Sequence, residues 1–216
     1  MHRYFIFLSL FLASCASIKT VEPLKKGEVK ATADLGGPMI NFNGIPLFMP
    51  LTSIGSAMGI SDNVSVFASI HTTSLMYKTF QLETSANTSL FRFDKSGFSA
   101  NWGAYTFCGL RESKWAFYPY ADINYYLHYN NKAHFAYFSF TSMMELHRKK
   151  AFDEPVTKRI IPHLTLGHRW VKDNSEWGLE LKYLSFNKDN RNIVVDYIAP
   201  GNKGSFGFYL SYAKKF

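Results

Sequence analysis

The sequence predicts an all-β protein: an antiparallel, up-and-down transmembrane β-barrel of about ten strands. Three observations lead there. From Gly27 onward, apolar and polar residues alternate with a period of two, which gives a strand two unlike faces. The composition is 17% aromatic, with 20 Phe and 13 Tyr, which favours strands, and only 19% charged, which is low for a soluble domain. Beyond the first residues, no apolar run approaches the ~20 residues of a spanning helix, so a chain that enters lipid must do so as a closed barrel.

The polar face decides which way such a barrel is turned. A solvated surface would be rich in Lys and Glu. Here the polar face is mostly Ser, Asn, Gly, Thr and Tyr, and the charges crowd into turns and loops. The opposite face carries Phe, Trp, Leu, Val and Tyr, which suits lipid and interfacial aromatic girdles. The alternative is a soluble, lipocalin-like ligand-binding barrel with the apolar face inside.

The elements follow in order. Residues 1–14 read as a signal peptide: Arg3 supplies a positive start, 4–12 an apolar core too short to span, and Ala13 and Ser14 a small-residue end. Residues 15–26 read as a tether, and 27–216 as the barrel domain. In the first strand Val29, Ala31, Ala33 and Leu35 alternate with Glu28, Lys30, Thr32 and Asp34. Residues 36–50, with Gly-Gly-Pro and Asn-Gly, read as a loop. Strand-like runs flank the turn Ser61-Asp62-Asn63, and Gln81, Glu83, Ser85 and Asn87 form the polar side of the next strand. Similar alternation continues through Trp102, Ile123, Phe138 and Leu166, broken by turns near Phe93-Asp94-Lys95, Asn130-Asn131-Lys132 and Asp173-Asn174. Lys132, Lys172 and Lys203 are expected at one rim. The tail ends on a strand with Phe206, Phe208, Leu210, Tyr212 and Phe216 on one face.

Two stretches carry a resemblance. Leu12-Ala13-Ser14-Cys15 resembles the lipobox of bacterial lipoproteins, which implies acylation of Cys15 and cleavage before it. Ala16 at the next position fits sorting to an outer membrane. The final aromatic strand resembles the assembly signal of outer-membrane barrels. Together the pattern resembles the outer-membrane β-barrel lipoproteins of Bacteroidota-type bacteria. That resemblance implies a cell outer-membrane location with a lipid anchor at Cys15, and puts both chain ends on one side. The strand number is then even: ten, with the run 193–198 placed in a long outer loop over 187–203, or alternatively twelve. The partners it implies are outer-membrane lipid and lipopolysaccharide, the barrel-assembly machinery during insertion, and a larger envelope complex. Nucleic acid is not expected, despite the net charge of +8.

Candidate site residues point inward. Glu83, Asp122, His163, Arg169, Glu180 and Lys182 are expected to form a polar network in the lumen, where opposite charges pair to avoid desolvation. Tyr105, Tyr118, Tyr120, Tyr126 and Tyr209 are expected to fill it, because barrels near eight strands are packed with side chains. No enzyme is expected. There is no G-x-S-x-G elbow, and His163 and His168 differ in parity, so they face opposite sides of their strand. No cofactor is expected, and no spacing sets a metal site. With Cys15 lipidated, Cys108 has no disulfide partner. The basic cluster at 147–150 suits lipopolysaccharide phosphates. The expected function is a lipid-anchored barrel with a structural or interaction role, or alternatively a narrow channel for a small solute.

Overall fold

The computed structural model describes residues 19–111, 113–147, 155–191 and 195–216. The expected signal peptide, Cys15 and residues 148–150 of the basic cluster lie outside them. Eleven strands appear in chain order: β1 (Val29–Phe42), β2 (Ile45–Phe48), β3 (Leu51–Ser61), β4 (Val64–His71), β5 (Thr79–Arg92), β6 (Ser96–Gly109), β7 (Lys114–Tyr129), β8 (His134–Met144), β9 (Ile160–Lys172), β10 (Ser175–Asp189) and β11 (Lys203–Lys215). All but β2 form the wall. Each is antiparallel to its neighbour, and β11 pairs with β1 to close the barrel, Lys30 standing opposite Lys215 and Pro38 opposite Gly207. The wall therefore has ten strands, and β2 is an eleventh that pairs only with the end of β1.

Short turns gather at one end of the barrel with the start of β1 and the end of β11, where Phe216 N–H donates to Val29 O at 2.9 Å. Asn130, Asn131, Lys132 and Asp173 take positive φ there, and Asn and Asp tolerate that conformation best among residues with side chains. The other end carries the longer connections, including a one-turn helix, Thr72–Met76. These are the turn end and the loop end. Lys132 and Lys172 lie at the turn end, but Lys203 begins β11 at the loop end, against expectation.

The stretch 36–50 is also not a loop. β1 runs on to Phe42, and β2 folds back on it, Met39 opposite Phe48 and Phe42 opposite Ile45. Asn43 and Gly44, at φ 51 and 85, close this two-residue hairpin. Gly36 and Gly37 mark crowding rather than a break. A Cβ on Gly36 would overlap Phe208 O, and one on Gly37 would overlap Met49 O. Within the loop 190–202, Tyr197 bridges to Ile40 and Ile198 N–H donates to Met39 O, so that run extends the wall above β1.

The faces are turned as a lipid-immersed barrel requires. Ile54, Trp102 and Leu166 point outward with more than half of their surface exposed, while Gln81, Asn124 and Glu180 point inward and are fully buried. Water would reward the opposite arrangement, so the lipocalin-like alternative fails. Trp170, Trp177, Tyr212 and Tyr129 ring the turn end on the outside, Trp177 packing on Tyr212 with ring centroids 4.9 Å apart. On β11, Phe206, Leu210, Tyr212 and Phe216 are exposed on the outer face, and Phe208 on that face is half-buried against Phe48.

Candidate functional site in the barrel lumen

The lumen is filled in three layers. At the loop end, Leu51, Tyr105, Phe107, Tyr120, Met143 and Ile161 pack into one apolar cluster, with Met49 and Tyr118 against it. A polar belt occupies the middle. At the turn end the filling comes from outside the wall: residues 19–24 run inside the barrel, with Lys25 and Lys26 exposed at its rim. The stretch expected as a tether is, over its described part, a plug.

The plug enters at the rim, where Gly27 N–H donates to Gly59 O at 2.9 Å and Lys26 N–H to Asp62 Oδ1 at 3.0 Å. Leu24 packs on Ala57 and Phe67, and its N–H donates to Ser65 Oγ at 2.6 Å. Glu22 meets His128 Nε2 at 3.0 Å. Val21 packs among Tyr126, Phe135 and Tyr137. Deeper still, the plug backbone is read by wall side chains. Val21 O accepts from Ser99 Oγ and from Asn87 Nδ2, and Thr20 O accepts from Asn87 and Asn101 at 3.2 and 3.1 Å. Lys19 O accepts from Arg169 at 2.8 Å, and Lys19 N–H donates to Glu180 Oε1 at 3.3 Å. An extended strip in a dry interior must have its amides satisfied, and here Asn, Ser, Arg and Glu do it. The Lys19 ammonium donates to Asp122 Oδ2 at 2.6 Å and Thr141 Oγ1 at 3.2 Å, and stands 4.5 Å from the centroid of the Tyr120 ring.

The six charged or imidazole side chains picked from parity all lie inside the wall, each at most 9% exposed. Lys19 of the plug links Asp122 to Arg169 and Glu180. Asp122 joins Lys19 and accepts from Asn101 at 3.1 Å. Glu180 joins Arg169 at 3.2 Å and Lys182 at 2.9 Å, and accepts from the Tyr137 hydroxyl. Glu83 accepts from the Tyr120 hydroxyl at 2.6 Å, with His71 Nε2 3.9 Å away. His163 stands apart and accepts from Ser185 N–H at 3.0 Å.

Sequence reasoning missed Lys19, Asn87, Asn101 and the pair Lys30–Glu176 at 3.4 Å. Parity already placed Asn87 on the polar face. Nothing local marked Lys19, whose partners lie more than a hundred residues away. Glu22 lies outside the strands. Burial acts to raise its carboxyl, but the His128 hydrogen bond and charge, with Arg92 and Lys215 nearby, outweigh burial and hold it below the usual range.

Chemically this is a binding arrangement. A carboxylate, a hydroxyl and a ring face hold an ammonium, and amides hold a backbone. Among the described residues no group of three or more His, Cys, Asp or Glu is placed to hold a metal ion.

No family model matches the chain, and no curated protein matches it. Solved structures do. An outer-membrane channel from Pseudomonas putida F1 aligns with 93% of this chain and 100% of its own, at a TM-score of 0.53 and 8% identity. The outer membrane protein OprG from Pseudomonas aeruginosa aligns over 91% and 99% at a TM-score of 0.29 and 9% identity. The attachment invasion locus protein Ail of Yersinia pestis aligns over 88% and 99%, also at 0.29, with 6% identity. The first alignment carries the fold; the other two are too loose to add to it. The chain thus has the fold of bacterial outer-membrane β-barrels.

Proposed function

We propose that the protein is an outer-membrane β-barrel, lipid-anchored at Cys15, whose lumen is sealed and whose role is structural or one of interaction within the envelope. The observation that supports this most directly is the filling of the lumen from both ends, by the loop-end cluster and by residues 19–26. In this reading the turn end is periplasmic and the loop end faces outward. The exposed apolar belt takes membrane lipid. His147, at the loop end, faces lipopolysaccharide, and β11 is the strand offered to the assembly machinery.

Two measurements test it. Folded protein, confirmed by heat-modifiable gel migration, is expected to leave planar bilayers silent, and steady conductance would overturn the sealed reading. The precursor is expected to incorporate palmitate and to lose that label in Cys15→Ser. An unlabelled parent chain would remove the anchor.

A second reading is a narrow channel closed by its own plug. It is favoured by the polar belt of the lumen and by the fold shared with a protein described as a channel. Its signature is conductance that appears only when residues 19–26 are unseated.

A further inference from the structure

The lumen holds its plug in the way a receptor holds a peptide. From Lys19 to Leu24, the hydrogen bonds described above run from the plug's main chain to wall side chains, or between side chains; none is a strand pairing. Such contacts read a backbone and tolerate many sequences. Two positions are read by a polar side chain: Glu22, by His128, and Lys19. The Lys19 pocket combines a buried carboxylate, a hydroxyl and an aromatic face, a set that fits a primary ammonium and nothing apolar. Two apolar seats, for Val21 and Leu24, complete the pattern.

We propose that the lumen is a binding passage for an extended, lysine-bearing polypeptide segment, and that residues 19–26 are its tethered occupant, exchangeable for the same chemistry supplied by another chain. The wall itself argues for an occupant. Ser65, Asn87, Ser99 and Asn101 are each at most 3% exposed, and each turns a polar group onto the plug. An empty passage would leave these groups to water, and would leave Asp122 without the Lys19 ammonium. The junction argues for exchange. The plug joins β1 through Gly27, at φ 81, and glycine is the residue whose backbone turns there at least cost.

A tethered occupant competes at an effective concentration on the order of millimolar, so an untethered ligand gains entry only where the resident one is weakened. The sealed-lumen reading enters here only as the resting state, and conductance of the parent protein tests it separately.

The experiment uses the full chain in detergent, carrying Lys19→Ala, with folding checked by heat-modifiable migration. The probe is a labelled, N-acetylated peptide with the sequence of residues 19–26. Saturable binding to the variant is expected, with the parent chain binding more weakly because its own segment holds the passage. A peptide with norleucine in place of the first lysine is expected to bind about tenfold more weakly, the scale of one lost charge-assisted contact. That preference should vanish in Lys19→Ala/Asp122→Asn. Lys19→Met serves as a second host that keeps the bulk of the side chain. Absence of binding to either folded variant would overturn the proposal. Equal binding of the norleucine peptide, or equal binding to parent and variant, would also overturn it.

Discussion

At the scale of single residues, the lumen works by pairing bulk with absence. Tyr126 stands opposite Gly97, Tyr137 opposite Gly167 and Arg169 opposite Gly178 on neighbouring strands. A Cβ on any of these glycines would overlap the large side chain beside it. The ring or guanidinium takes the space over the facing glycine, and from there it meets the plug at Val21 or Lys19. Gly167→Ala is therefore expected to push the Tyr137 ring off Glu180 and into the plug. The expected loss is about 1–3 kcal/mol, the usual range for overpacking, read as a lower urea midpoint of the heat-modifiable form. The alternation alone showed which residues point inward, and the six polar network candidates were legible that way. Their partners were not. Which glycine faces which tyrosine depends on strand register, and register is a relation between segments that periodicity within one segment does not contain.

At the scale of elements, β1 and β11 matter most because they meet at the closing seam. Most of the wall strands were legible, since each has a polar and an apolar face. The far half of β1 was not, because Gly36, Gly37 and Pro38 imitate a loop. Their reason is lateral: Gly36 lies against the backbone of β11, and Pro38 O accepts from Met49 N–H at 2.9 Å. The plug was misread for a related reason. Residues 19–26 have no alternation of their own, and take their order from hydrogen bonds to seven wall strands, β4 to β10. At the other end of the seam, Phe216 adds one backbone bond to Val29 and places an exposed ring 6.0 Å from the Lys214 ammonium. An aromatic ring there prefers the headgroup level, and Lys214 reaches past it to water. Deleting Phe216 is expected to lower the amount of folded barrel in the membrane fraction while secretion continues, as measured by heat-modifiable migration against total exported protein. Equal amounts with and without the residue would show that the seam does not need it.

At the scale of the whole molecule, the outward apolar face sets the solvent. Leu166 is 59% exposed in the middle of β9, with Phe138 and Leu181 beside it on the neighbouring strands. In a bilayer Leu166→Arg is expected to destabilise the barrel by about 2–4 kcal/mol, the penalty for a cation near the midplane. In a water-facing barrel the same change would be near neutral, so urea unfolding in lipid vesicles separates the two. The plug adds a matter of timing. None of the hydrogen bonds described for residues 19–24 goes to β1 or β11, the two strands of the closing seam. The hydrogen-bond partners of residues 19–24 run from Ser65 on β4 to Glu180 on β10. Until the β1–β11 seam forms, the sheet is a trough open along one side, and the segment can settle into it from that side. Neither strand of that seam supplies a hydrogen bond described for the plug, so sealing it closes the barrel around a passage whose seat is already built.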